Sequence, residues 1–507
     1  MTSKAIRMLI VLTMFMGVFA YAPAASAGPA ACENRVNNNL NKLLECVTLE
    51  GVREHQAAFQ AIANANGGTR AATTPGYDAS IAYVKETLEA AGYEVQLDPF
   101  DFAVFSPAVL QQTAPVSATY NTGAFTGSGY GDVSGSVIPV DLSLANPAAS
   151  SSGCEAADFA GLNFSGPNDI ALTQRGTCFF AVKAVNAQAA GAEAVIIMNS
   201  GTPGNTGLIV ANASALPDGS PSNLTIPVVG ASFADGVALS QPGSTAIVTV
   251  DPPTIVTQYN VLAELPGRNN GNVVMAGAHL DSVPAGPGIN DNGSGSAAIL
   301  EVALQMAKVR PQNTVRFAWW GGEEAGLVGS NAYVAGLSDE ELDRIALYLN
   351  FDMVGSPNHV FFIYDGDDSD ATGAGPGPEG SAQIEKTFER YYNSVGVPFK
   401  GTDFSGRSDY QAFILNGIPA GGLFTGAEQP KTAEEAAIWG GTAGQQYDPC
   451  YHQACDTFAN NNDTALDVNS DAIAYAILQY AMNTSDVNGV RGKGNFRLPA
   501  DEESPVQ

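Results

Sequence analysis

Hydrophobic residues in the first hundred positions recur at helical spacing. Ile81, Val84, Leu88 and Ala91 share one face of a helix that Gly92 ends, and Leu49 to Asn66 reads as an earlier helix closed by Asn66-Gly67-Gly68. Tyr93-Glu-Val-Gln then alternates apolar and polar, as a strand does. From about Ser106 the pattern breaks into short β-like runs separated by Gly, Ser, Asn and Pro. These are Val133 to Leu142, Ile170 to Thr173, Ile226 to Val229 and Ala246 to Val250. One helix-like piece, Phe180 to Ala190, stands between the apolar strands Ile170–Thr173 and Ala194–Met198. Asp251-Pro252-Pro253 closes this stretch, which has the texture of an inserted module. From Asn260 strand and amphipathic helix alternate again through Val273–Ala278, Ala297–Lys308, Val315–Trp320, Asp339–Leu347 and Tyr348–Phe351. Such alternation predicts an α/β fold with a mostly parallel sheet sandwiched by helices.

Composition narrows the function classes. The 507 residues are 45% hydrophobic and 14% charged, enough for two or three domains with ample core. Lys and Arg number 22 against 51 Asp and Glu, a net charge of −29 that repels phosphate backbones and anionic membrane surfaces. Nucleic acid and membrane are therefore excluded as partners, and a monomer is expected. At the N-terminus, Lys4 and Arg7 precede an apolar run from Met8 to Tyr21, followed by Ala25-Ser26-Ala27. That order reads as a secretory signal peptide cleaved after Ala27, the run being shorter than the ~20 residues of a membrane span. The protein is expected to be secreted and extracellular.

Six cysteines fit an oxidising destination and allow fifteen pairings. Cys32 and Cys46 flank one short segment, Cys154 and Cys178 sit in one mid-chain region, and Cys450 and Cys455 bracket a short step. No Cys-x-x-Cys pair favours zinc ligation, so three local disulfides are the simplest account.

Of the four histidines, two have chemical company. His279 ends the apolar run Val273–Ala278, and Asp281, two residues on, falls on the same side of an extended chain. Asp281 could thus support the second imidazole nitrogen, as partners of metal-bound histidines do. The loop from Gly286 to Ser296 carries Asp291 just before a helix. Val315–Trp320 leads into Gly321-Gly322-Glu323-Glu324, and Tyr348–Phe351 into Asp352. Ligands gather beyond the carboxyl ends of strands in open α/β sheets, so these side chains would converge. His452 adds a second imidazole from Asp448-Pro-Cys-Tyr-His-Gln-Ala-Cys, a loop that a Cys450–Cys455 bridge would pin. Two histidines and four carboxylates, with Asp281 behind, suit two zinc ions. His55 and His359 lack such neighbours and read as surface or packing residues. No His-Glu-x-x-His helix occurs, and Gly293-Ser-Gly-Ser misses the register of a Gly-x-Ser-x-Gly elbow.

These residues bring a family into view. AHLDSV (278–283), GINDNGSGSAAILE (288–301), WGGEEAGLVGS (320–330), NFDMVGSPN (350–358), GRSDY (406–410), GGLFTGAE (421–428) and DPCYHQACD (448–456) resemble the secreted di-zinc aminopeptidases of metallopeptidase clan MH. The likeness is to the aminopeptidase Y and bacterial leucyl aminopeptidase group, and it extends back over 49–95. DIALTQRGTCFFAVKAVNAQAAGAEAVIIMN (169–199) is similar to a protease-associated (PA) domain. The resemblance implies a zinc-exopeptidase fold with a β-rich α/β PA insert. Its parts would be a signal peptide (1–27), a first peptidase part (28–109), the PA insert (110–253), a catalytic part (254–485) and a loose tail (486–507).

Roles follow by the same resemblance. His279 and Asp352 would hold one zinc, Glu324 and His452 the other, and Asp291 would bridge them. Glu323 would be the general base toward a water between the ions, Asp281 the support of His279, and Tyr451 the stabiliser of the oxyanion. Arg407 and Phe424 would line the substrate site. Two metals polarise a carbonyl and acidify a water, and a carboxylate beside it can carry the proton to the leaving amine. The implied substrates are peptides or proteins with a free N-terminus, often with a large apolar first residue. Some relatives also bind calcium. Asp467 and Asp471 match part of that site, but Cys46 stands where its N-terminal acid is expected, which argues against calcium.

Three rivals remain at the level of sequence. A carboxypeptidase on the same sheet would use a cation such as Arg407 to clamp a terminal carboxylate. A glutaminyl cyclase needs one zinc where this chain offers ligands for two. A receptor-like ectodomain would have lost ligands that are all present.

Overall fold

The computed structural model describes residue 32 and residues 34–490, apart from 218, 219, 372 and 374. The expected leader, with its cut after Ala27, lies outside the described residues, as does the tail beyond 490. The chain forms two units. One comprises the residues up to Phe102 together with Thr257 onward, and the other is Ala103–Val256.

In chain order the strands begin with β1 (Glu94–Val104), β2 (Val109–Ala114), β3 (Ala118–Tyr120), β4 (Gly131–Pro139), β5 (Ile170–Gln174), β6 (Ala194–Met198), β7 (Val228–Ala231) and β8 (Thr245–Val250). They continue with β9 (Thr254–Leu265), β10 (Asn269–His279), β11 (Asn313–Trp320), β12 (Ile345–Phe351), β13 (Phe362–Tyr364), β14 (Lys400–Thr402) and β15 (Ala420–Phe424). The helices used below are α1 (Leu49–Ala65), α2 (Pro75–Ala91), α3 (Phe180–Ala190), α4 (Gly293–Met306), α5 (Ser381–Val395) and α6 (Asp463–Met482).

The larger unit is built on an eight-stranded sheet in the order β1-β9-β11-β10-β12-β15-β13-β14. Its centre, β11-β10-β12-β15, is parallel throughout, while β9 and β13 join it antiparallel. Alternate residues of the central strands face opposite layers. Val315, Phe317 and Trp319 pack with Phe59 of α1, Ile81 of α2, Ile299 of α4, Phe388 of α5 and Ile473 of α6. Ala318 and Trp320 join Met275, Tyr348, Tyr410 and Phe413 in a second core. The result is the α/β sandwich expected from the alternation of apolar runs.

Helix boundaries follow local chemistry. Thr48 and Thr74 cap α1 and α2 by accepting from Gly51 N and Tyr77 N, and Gly92 ends α2 at φ 97°, where a side chain would be strained. Two boundaries differ from the sequence reading. Ser338 and Glu341 cap a helix that stops at Arg344, so Ile345 to Leu347 open β12 rather than extend the helix. Every residue of β12 is buried, and a continuous apolar run there suits a central strand. Asn292 accepts from Gly295 N and starts α4 at Gly293, which turns the Gly-Ser stretch into a first helical turn. Asp486 to Val490, assigned by sequence to a loose tail, instead packs down. Val487 is buried, Val490 pairs with Thr484, and Asn488 donates to Asn272 Oδ1 at 2.8 Å.

The second unit has its own seven-stranded sheet, β3-β2-β8-β4-β5-β6-β7, with β4 to β7 parallel. Leu110, Ile170, Leu172, Ile196 and Val248 form one of its cores. In the other, Ala181, Ala184 and Ala187 of α3 lie with Ala171, Val195 and Ile197. The Cys154–Cys178 disulfide lies within this unit, while Cys32–Cys46 and Cys450–Cys455 lie within the larger one.

One contact ties fold to site. A Cβ on Gly295 would come 2.2 Å from the Phe351 carbonyl at the end of β12. Gly295→Ala must therefore push the first turn of α4, and the loop before it, off the sheet. The expected loss is about 1–3 kcal/mol of unfolding free energy, the usual scale for overpacking, read by urea denaturation. A stability within error of the parent would show that the close approach is not needed.

Candidate metal centre

Three parallel strands deliver their carboxyl ends side by side, with His279 in register with Trp320. His279 is the last residue of β10. Past the end of β11, Gly321 and Gly322 lead to Glu323 and Glu324, and Asp352 follows directly on β12. Asp291 comes from the loop ahead of α4, and His452 from the loop closed by the Cys450–Cys455 disulfide. His452 sits at φ 57°, a conformation that non-glycine residues adopt mainly at constrained sites.

Asp291 is the shared member of this group. Its Oδ1 lies 3.2 Å from His279 Nε2, and its Oδ2 lies 3.3 Å from His452 Nε2. Asp352 Oδ1 is 3.3 Å from His279 Nε2, and Glu324 Oε2 is 2.9 Å from His452 Nε2. Glu323 stands further back, its Oε2 4.0 Å from His279 Nε2. Donor atoms of His279, Glu323 and Asp352 lie within 4.8 Å of one another, and so do those of Asp291, Glu324 and His452.

Each member is held from behind. His279 Nδ1 is 3.2 Å from the backbone oxygen of Asp281 and 3.7 Å from its Oδ1. The nearer support is thus the carbonyl, not the carboxylate that residue spacing suggests. The Asp281 carboxylate instead accepts from Glu323 N at 3.2 Å. Ser408 Oγ donates to Asp352 Oδ2 at 2.6 Å, and accepts from Asn350 Nδ2 at 2.8 Å. Asp456 accepts from the backbone of Asn290 at 2.8 Å and of Asp291 at 2.9 Å, tying the Asp291 loop to the disulfide loop. Arg70, fully buried, donates to the carbonyls of Pro287 and Gly288 at 2.8 and 2.5 Å, and to that of Leu280. Ser408 and Asp456 lie inside motifs legible in the sequence, next to the residues singled out there. Arg70 carries no such signal.

The electrostatics call for cations. Burial, with Asp291 alongside, pushes Glu324 up to about 7. Burial lifts Glu323 well above the carboxylate range, with Asp352 adding and His279 opposing. Burial works to lower His452, yet its hydrogen bonds to Asp291 and Glu324 carry it up to about 10. Asp281 Oδ2, Glu324 Oε1 and Asp352 Oδ1 are buried without any hydrogen-bond partner. Carboxylates this crowded and this poorly paired are costly unless positive charge sits among them. Imidazole nitrogen and carboxylate oxygen in two adjoining sets fit divalent metal of the zinc type.

Asp291, Glu323, Glu324, Asp352 and His452 open onto a cavity of about 560 Å3 that Met353, Phe362, Phe424 and Tyr447 also line. Phe424 stacks on Phe362 with ring centres 6.0 Å apart, and Tyr447 meets Phe362 edge-on at 5.5 Å. Arg407 and Tyr451 line the same cavity, the Tyr451 ring stacked 3.8 Å from that of His452. His55 lies elsewhere, buried on α1 with Nδ1 2.7 Å from the Tyr83 hydroxyl. His359, which burial and the Lys431 ammonium push down to about 4, is not among the cavity-lining residues. Asp467 and Asp471 stand one turn apart on α6, and Cys46 is consumed in its disulfide with Cys32.

Known proteins give this geometry a family. Residues 260–477 match the model of peptidase family M28, and residues 133–239 that of the PA domain. An aminopeptidase of Pseudomonas aeruginosa is 49% identical over 456 residues, 88% of this chain and 83% of its own length. Leucine aminopeptidase 2 of Trichophyton rubrum is 46% identical over 338 residues, 66% of each chain. The crystal structure of a zinc aminopeptidase from Bacillus subtilis superposes with a TM-score of 0.63 at 25% identity, covering 86% of this chain and 95% of that one. The chain belongs to peptidase family M28, with a PA domain inserted in the peptidase domain. It is a hydrolase of the aminopeptidase type.

Asp456 offers a test of the support behind Asp291. Asparagine cannot accept both backbone N–H groups, so Asp456→Asn leaves one donor unmet. Metal affinity should fall about 10- to 100-fold, the scale for losing a partner behind a ligand, as measured by competition with a chelator. Unchanged affinity would mean that the loop holds Asp291 without Asp456.

Proposed function

We propose that this peptidase is a secreted aminopeptidase with two zinc ions that removes large apolar residues from free N-termini. The observation that carries the reading is Asp291, one oxygen toward each histidine, set between two donor groups. His279 and Asp352 would hold one ion, His452 and Glu324 the other, and Asp291 both. Bound there, the ions would supply Lewis acidity to the scissile carbonyl and acidify a water. Glu323, buried beside His279 and Asp352, takes the proton of the attacking water and passes it to the leaving amine. The Tyr451 hydroxyl donates a hydrogen bond to the substrate oxygen on which negative charge develops. The acidic end of the cavity, Glu323 and Asp352, suits an α-ammonium, and the aromatic wall of Phe362, Phe424 and Tyr447 suits a large apolar side chain.

Direction of attack has support of its own. Both ends of the Arg407 guanidinium are engaged, by Glu428 Oε1 at 2.8 Å and by the Tyr451 hydroxyl at 3.1 Å. That commitment disfavours the rival use of Arg407 as a clamp for a terminal carboxylate. Export is supported by three disulfides in the described residues.

Glu323→Gln should keep the metal content of the parent and lower turnover by about 10²–10⁴-fold, the scale for a lost general base. Full turnover would remove Glu323 from that role. With Leu-Gly-Gly, leucine should be released from the free peptide and its C-terminal amide, and none from the N-acetyl form. Cleavage of the acetylated peptide with the amide resistant would reverse the direction assigned here.

A further inference from the structure

Glu428 follows β15 in the run Gly-Leu-Phe-Thr-Gly-Ala-Glu and has no part in the roles assigned so far. Its Oε1 accepts from Arg407 Nη1 at 2.8 Å, and Arg407 Nη2 donates to the Tyr451 hydroxyl at 3.1 Å. Three separate loops thus contribute one residue each to a short relay that ends on a cavity-lining tyrosine. We propose that Glu428 is a positioning residue which, through Arg407, holds and aims the Tyr451 hydroxyl at the developing oxyanion. The proposal rests on the reading of Tyr451 as the oxyanion donor.

Hydrogen-bond direction decides where the Tyr451 proton can point. A phenol has one proton to give and lone pairs to receive. The Arg407 N–H occupies an acceptor position on the Tyr451 oxygen, so the hydroxyl proton must point elsewhere. The tyrosine ring is already fixed on its face by stacking 3.8 Å from the His452 ring. What remains to be set is the hydroxyl, and Arg407 sets it. Arg407 alone would do this poorly, because its side chain is 54% exposed and rich in rotamers. The Glu428 carboxylate removes that freedom. A half-exposed ion pair of this kind contributes little to global stability, so its loss should change aim without unfolding the chain.

An interaction made only in the transition state lowers kcat and leaves KM nearly unchanged when removed. The test uses the zinc-loaded full chain and leucine p-nitroanilide. Tyr451→Phe should lower kcat by about 10²-fold, the scale for losing one oxyanion donor. Glu428→Gln should lower kcat about tenfold, within the range for coupled pairs, with KM within about twofold. Added to Tyr451→Phe, it should cost nothing further, because the hydroxyl it aims is gone. Should Glu428→Gln melt early, Arg407→Met in the same two backgrounds carries the same comparison. Full kcat in Glu428→Gln, a loss seen only in KM, or losses that multiply in the double variant would each overturn the relay. Full kcat in Tyr451→Phe would instead overturn the reading of Tyr451 itself, and the relay with it.

Discussion

Everything in the site depends on where one carboxylate stands. Asp291 faces His279 with one oxygen and His452 with the other, and those histidines come from opposite ends of the peptidase sequence. A buried aspartate between two imidazoles is stable only if its own backbone is fixed. Asp456 does this by accepting two consecutive N–H groups, Asn290 and Asp291, from a loop that has no strand to lean on. Asn460 bridges Asp456 to Asp448, donating to both at 3.1 and 2.9 Å, so the disulfide loop and the Asp291 loop behave as one piece. Arg70 fastens the far side of the same loop through three carbonyls. The arrangement is rigid where chemistry requires it, at the level of backbone hydrogen bonds rather than side-chain packing alone.

The sheet supplies the rest of the geometry. Parallel strands in register bring His279, the Glu323-Glu324 pair and Asp352 to one edge, and burial on both faces leaves those strands little freedom. The same burial makes the acids poor anions until cations are near. Oxygens on Asp281 and Glu324 have no hydrogen-bond partner, and Asp352 Oδ1 has only the His279 imidazole 3.3 Å away, so side chains alone satisfy them poorly. Metal binding and the electrostatic balance of the centre are therefore linked.

Much of this was legible in the chain, and the reasons differ by residue. His279, Glu323, Glu324 and Asp352 stand at the ends of apolar runs long enough to be read as strands, so their convergence follows from topology. His452 could be read because so few histidines exist and two cysteines bracket it. Fine geometry could not be read. Spacing pointed to the Asp281 carboxylate behind His279, whereas the chain turns after β10 and presents the carbonyl instead. The end of the helix at Arg344 is hidden in the sequence because Ile345 to Leu347 suit either element until burial on both faces decides. Arg70 was invisible, since a charge that acts through carbonyls leaves no periodic trace, and Glu428, though it closes the stretch GGLFTGAE, gives no sign there that it acts through Arg407.

The central claim is that two donor sets share Asp291 and hold two ions. Elemental analysis of the purified chain, dialysed free of loosely bound metal, tests it most directly. The account predicts two zinc ions per chain in the parent and fewer than one in Asp291→Ala, because the bridge serves both sets. One zinc per parent chain, or two retained in Asp291→Ala, would contradict it.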